Sequence, residues 1–190
     1  DAALRKGPGG HDPTNPALLA LKERVLARYG VSREEDLPVS FAGIALQEGE
    51  EFGYRVFDEK YAELEGTFER QDSVQRAASA VSPLLAVRSL SMGLSGTAPE
   101  RHRDFTRAAE DHRREFIKIL NDDVTRNAVG RDHGYMAGED LWSKTPEFRY
   151  EPPGLGRVVA SHAGDLAALA GWCGVASIAA FAAVARIRVA

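Results

Sequence analysis

The sequence predicts an all-α protein. Apolar residues recur at three- and four-residue spacings along most of the chain, prolines and glycines stand where helices start and stop, and almost nothing alternates with period two. The expected architecture is a helical bundle with one long helix, an irregular Gly/Pro-rich segment and a closing helix with the composition of a membrane span.

Residues 1–14, DAALRKGPGGHDPT, mix Gly, Pro and charge without periodicity and read as a linker. A first helix follows: Asn15 can cap it and Pro16 suits the first helical position, where no amide donor is needed. Leu18, Leu21, Val25 and Tyr29 form its stripe, and Gly30 ends it. The stretch VSREEDLPVSFAGIALQEG reads as a connection with one short turn, in which Ser32 and Glu35 have capping-box spacing. A long helix is expected from Gln47 to Val81, with Phe57, Tyr61, Leu64 and Phe68 on one face and charge on the others.

Pro83 ends or kinks that helix, and SPLLAVRSLSMGLSG restarts as a shorter, more apolar one. TAPE then offers Thr97 as a cap, Pro99 in the first turn and Glu100 as the reciprocal partner. Behind it Phe105, Ala109, His112, Phe116, Leu120 and Val124 share a face. From Gly130 to Gly156 glycines and prolines break the pattern, and Trp142, Phe148 and Tyr150 are expected to pin this segment to the helices. The body is therefore expected over 15–160 and the apolar helix with its basic end over 161–190.

Composition narrows the function. A net charge of -4 offers no basic surface for nucleic acid. A single cysteine, Cys173, excludes an internal disulfide and any multi-cysteine metal site, and its apolar setting predicts a small buried hydrophobe. The chain begins with Asp1 and shows no signal-peptide pattern, as expected of part of a longer protein or a processed form.

The chemistry-bearing residues are sparse. His102 and His112 lie ten residues apart, under three helical turns, which is too far for one ion. A metal-dependent enzyme using His102, His112, His133 and nearby acids is the weakest of three readings, because His112 falls on the apolar stripe. RDHGY at 131–135 is compact, but a capped turn explains it equally well. No phosphate-binding loop and no nucleophile elbow is present. Glu50, Glu51, Asp58, Glu59, Glu63, Glu65 and Glu69 alternate with Arg55, Lys60 and Arg70, the pattern of a solvated helix face. No catalytic, cofactor-binding or metal-binding residue is assigned.

The closing run is the strongest signal. Leu166 to Ala185 is 20 residues without a charge, the length that crosses the hydrocarbon core of a bilayer. Arg186 and Arg188 follow it, while His162 and Asp165 precede it. Basic flanks stay cytoplasmic, so the C-terminus is expected inside and the body outside. Trp172 lies deep for an interfacial anchor. The alternative is a soluble all-α binding or scaffold domain that buries this Ala-rich helix in its core, although a body of this size rarely encloses 20 residues on every side.

In order, HDPTNPALLALKERVLARYGV, EDLPVSFAGIALQEGEEFGYRVFDEKY, SPLLAVRSLSMGLSGTAPERHRDFTRAAEDHRREFIKILND, RDHGYMAGEDLWSKTPEFRYEPPGLG and the apolar run resemble one known group. They are similar to the C-terminal part of bacterial ABC-type permease subunits of the exporter-like class, in the subgroup known as a permease domain of unknown function. The resemblance spans nearly the whole chain, and the third stretch is its most specific part. It implies a large extracytoplasmic helical segment before the last transmembrane helix of an inner-membrane subunit. It also implies a separate ATP-binding subunit, together with further permease helices or a second permease subunit, as partners. The earlier transmembrane helices of such a permease are absent from this chain. The family carries no catalytic residues to transfer and no general cargo, so the expected role is non-catalytic.

Overall fold

A computed structural model describes residues 7–8, 12–131 and 134–187. Most of the linker expected over 1–14 lies outside them, as do His133 and Arg188. The described residues are helical and contain no strand. In chain order the elements are α1 (Pro16–Tyr29), a 3-10 turn (Glu34–Asp36), α2 (Phe41–Ser79), α3 (Pro83–Ser95), α4 (Pro99–Asn127), α5 (Glu139–Trp142), α6 (Leu155–Ser161) and α7 (Ala163–Arg186). Cα packing divides the chain into two compact units, residues 1–64 with 109–149, and residues 65–108 with 150–190. The long helices α2 and α4 each contribute to both.

The first unit is organised by α1. The Asn15 side-chain oxygen accepts hydrogen bonds from the Ala17 and Leu18 amides, and its Nδ2 donates to the Gly7 carbonyl at 2.9 Å. Gly30 closes the helix at φ 68°, a left-handed position that costs a residue with a Cβ, and the Val31 amide reaches back to Leu26. Leu21 and Val25 then meet Leu37, Phe41 and Ala45 in the buried core. Each large side chain there contributes roughly 1.5–3 kcal/mol through loss of water contact.

That core explains why α2 begins at Phe41 and not at Gln47. Phe41 and Ala45 are core residues, so burial carries the helix six residues further back than the stripe of aromatics suggested. Ser40, immediately before it, donates its amide to the Thr125 carbonyl at 2.8 Å. The helix ends at Ser79, two residues short of the expected Val81. The expected box of Ser32 and Glu35 does not form, since Arg33 occupies the cap of the 3-10 turn without a capping side chain. Arg33 instead holds Asp36 through both terminal atoms of its carboxylate.

Two further expectations shift. α4 starts at Pro99, which makes Ala98 the cap, and the Thr97 hydroxyl pairs with Ser95 at 2.9 Å. Glu100 faces Arg76 and Arg103 in place of Thr97. The predicted aromatic stripe of α2 stays open: Phe57, Leu64 and Phe68 are each at least 40% exposed. Within the first unit α4 covers α2 with arginine instead, the Arg114 guanidinium lying 4.7 Å from the Tyr54 ring centre.

The segment after α4 is less irregular than its composition suggests. It contains α5, and α6 already begins at Leu155. Phe148 leans on His112, with ring centres 5.3 Å apart, and Tyr150 meets Phe105 edge to face at 5.3 Å. Trp142 is 55% exposed, and Leu141 beside it is the buried residue of α5.

Candidate functional site

α7 is the most distinctive feature of the second unit. Its 24 residues rise about 36 Å at 1.5 Å each. Its most apolar 18-residue window has a mean hydropathy of 1.9, and none of that window is buried. Val175, Ile178, Phe181 and Val184 are exposed along it, and Arg186 ends it. Cys173, expected to be a buried hydrophobe, is exposed as well.

Among the described residues, the neighbours of α7 lie along its first half. α3 runs antiparallel beside it, and small residues on α3 let the two backbones approach. Ala86 is fully buried, and Gly93 sits so close to His162 that an added Cβ would lie 2.4 Å from the imidazole. Between those two, Ser89 donates its hydroxyl to the Asp165 carboxylate at 2.7 Å. Asp165 is the one buried residue of α7, and this hydrogen bond satisfies a carboxylate oxygen where it leaves water. Further along, the Trp172 indole N–H donates to the Ala80 carbonyl at 3.2 Å. This accounts for a tryptophan deep in an apolar run, because its polar atom is satisfied by protein. Both contacts follow from tertiary packing, and no local sequence signal announces either.

Beside this seat lies a cavity of about 320 Å³ between the C-terminal part of α2, α3, the start of α4 and α6. Arg76, Arg88, Arg101 and Arg157 line it, opposed by Asp72, Glu100, Asp104 and Asp165. Arg103 holds Asp72 at 2.9 Å, and Arg76 lies 3.7 Å from Glu100. Acid and base are balanced there, so the cavity has no bias toward an anion or a cation.

The first unit holds the strongest electrostatic cluster. Arg113 grips both oxygens of Glu110 at 2.8 Å, and Arg114 reaches the same carboxylate at 2.9 Å and Asp58 at 2.9 Å. The Arg113 hydrogen bonds, joined by those of Arg114, hold the Glu110 carboxyl down at about 2. Asp58 is also lowered, chiefly by its hydrogen bonds from Arg114. Nothing here is poised to exchange a proton near neutrality; the cluster is a clasp between helices.

Among the described residues the histidines His102 and His112 do not converge. His102 is exposed, His112 packs among Phe116 and Phe148, and His133 lies outside the described residues. Among the described residues no three His, Cys, Asp or Glu side chains are placed to hold a metal ion. At the RDHGY stretch, the Tyr135 hydroxyl donates to the Asp123 carboxylate, which raises the phenol above its usual range. That contact ties the turn to α4.

Comparison with known families finds one match: a domain of unknown function, DUF3526, over residues 1–151. The match ends before α6 and α7. No curated protein and no solved structure matches the chain.

Proposed function

Since the chain belongs to the DUF3526 family, whose description assigns no activity, we propose its function from its own features: it is the extracytoplasmic helical segment and last membrane-spanning helix of a bacterial ABC-type permease subunit. The observation that carries the reading is α7, long and apolar enough to cross a bilayer, with none of its most apolar stretch buried by the described residues and with Arg186 at its end. The order of motifs that resembles such permeases supports it independently. A soluble scaffold with α7 in its core would need cover that the described residues do not supply.

In this reading the protein resides in the inner membrane with residues 1–160 outside and its C-terminus in the cytosol. It performs no catalysis. A separate ATP-binding subunit hydrolyses ATP and rocks the membrane helices, which include those of the rest of the permease or of a second permease subunit. The 39-residue helix α2 conveys that motion or contacts an extracytoplasmic partner.

The test is membrane association of the intact chain and its co-purification with the ATP-binding subunit. The expected result is a chain that stays in the membrane fraction through alkaline carbonate extraction, needs detergent for release, and brings the ATP-binding subunit with it when the whole permease is expressed. A detergent-free, monodisperse, water-soluble chain overturns the membrane reading. Membrane retention without the ATP-binding subunit overturns the transporter assignment alone.

A further inference from the structure

The hydrocarbon core of a bilayer is about 30 Å thick, or about 20 helical residues. From Trp172 to Ala185 there are only 13 rises, about 20 Å. A span ending at Arg186 must therefore include the turns before Trp172, back to about Leu166. Trp172 then lies about 9 Å inside the outer boundary, six rises from Leu166. Its indole is bonded to the Ala80 carbonyl, so the corner between α2 and α3 lies at that same depth.

The corner has the chemistry that depth demands. From Ala77 to Val87 the chain reads AASAVSPLLAV, without a charge, and it is bounded by Arg76 and Arg88. Its apolar side chains face outward: Val81 is 77% and Leu84 74% exposed, although this is the end of a polar helix. Much of its backbone is bonded within the protein. The Val81 and Ser82 amides both donate to Ala78, Pro83 has no amide to satisfy, and Leu85 and Ala86 donate to Ser82. The Ala80 carbonyl, an orphan at a helix end, is taken by Trp172. Backbone satisfied within the protein is the condition for non-helical chain at membrane depth. Arg76 of α2, Arg88 of α3 and Asp165 of α7 border one cavity, and Ser89, next to Arg88, is bonded to Asp165, the last charged residue before the apolar run of α7.

We propose that the α2–α3 corner, residues 77–87, is a re-entrant wedge that enters the hydrocarbon edge of the bilayer beside α7, with Arg76 and Arg88 at the headgroup level. The proposal rests on the reading of α7 as a membrane span. Its occupant is lipid: the corner is bonded to α7 at Trp172, both leave large apolar side chains exposed, and two arginines rim the corner where phosphates would lie.

Depth measurement by nitroxide label tests it. The intact chain, with Cys173→Ser as background, is labelled singly at Val81→Cys or Leu84→Cys and reconstituted in phosphatidylcholine vesicles. Ile178→Cys reports α7, and Glu69→Cys reports water on the same helix as the corner. Helix content by circular dichroism selects folded variants, and the two corner positions substitute for each other if one fails to fold. The expected result is an oxygen-to-nickel-chelate accessibility ratio at 81 and 84 several-fold above that at 69 and close to that at 178. A ratio at the corner equal to that at 69, with 178 still in lipid, overturns the wedge and leaves the span standing. Labels at 81 and 84 shielded from both reagents also overturn it, because protein then covers the corner. Water access at 178 removes the span, and the wedge with it.

Discussion

Gly43 shows how closely two backbones meet in the first unit. A Cβ at this position would lie 2.4 Å from the Thr125 amide nitrogen and 2.6 Å from its Cα. Backbone cannot swing aside as a side chain can. Gly43→Ala is therefore expected to destabilise the protein by about 1–3 kcal/mol, the range for overpacking, despite its better helix propensity. Chemical denaturation against the parent chain measures it. Glu110 gives a pH signature. Its carboxyl is held at about 2 when folded, against an ordinary 4.5. A depressed folded value contributes stability that is fully present above 4.5 and fades as pH falls toward 2. Glu110→Gln should thus lower the melting temperature at pH 7, and the gap to the parent should narrow steadily between pH 4.5 and about 2. A constant gap across that window would show that the two arginines do not stabilise the ionised carboxylate.

At the scale of elements, the contact of α3 with α7 has its own prediction. Gly93→Ala places a methyl group against the His162 ring and should cost about 1–2 kcal/mol in detergent micelles, while the same change in a His162→Ala background should cost far less. Equal costs in both backgrounds would mean that the ring is not the obstacle. The helices whose ends carry local chemistry were legible in the sequence: Asn15, Pro16 and Gly30 bracket α1, and Pro83 opens α3. The start of α2 was not, because Phe41 and Ala45 join the helix through burial against α1, a long-range effect that periodicity near Gln47 cannot register. The box at Thr97 does not form: the helix starts one residue later than the pattern indicates, with Pro99 in the first helical position, which leaves Ala98 as a cap without a side-chain oxygen. α6 was hidden by the glycines around it. The candidate site was half legible: the apolar run announces α7, but Ser89 and Ala80 find their partners only after folding.

At the scale of the molecule, the apolar surface is sorted. The first unit gathers Leu21, Val25, Leu37 and Phe41 inward, whereas α7 leaves its apolar side chains outside. Surface of that kind along a whole helix marks a partner of equal apolarity. The substitution Ile178→Asp, at a position 72% exposed, should therefore leave the body folded and disfavour membrane insertion by about 3 kcal/mol, roughly a hundredfold in partitioning. Vesicle flotation of parent and variant reads the difference. Unchanged flotation would mean that this helix is not what holds the chain to lipid.

The tether of Trp172 to Ala80 gives the protein an optical reporter of its own. Only two tryptophans are present, and Trp142, 55% exposed, sits on α5 in the other unit. With Trp142→Phe a single indole emits, and its fluorescence should move to shorter wavelength as vesicles are added, while brominated acyl chains quench it. The arrival of the chain in a membrane can thus be watched in real time without attaching a dye.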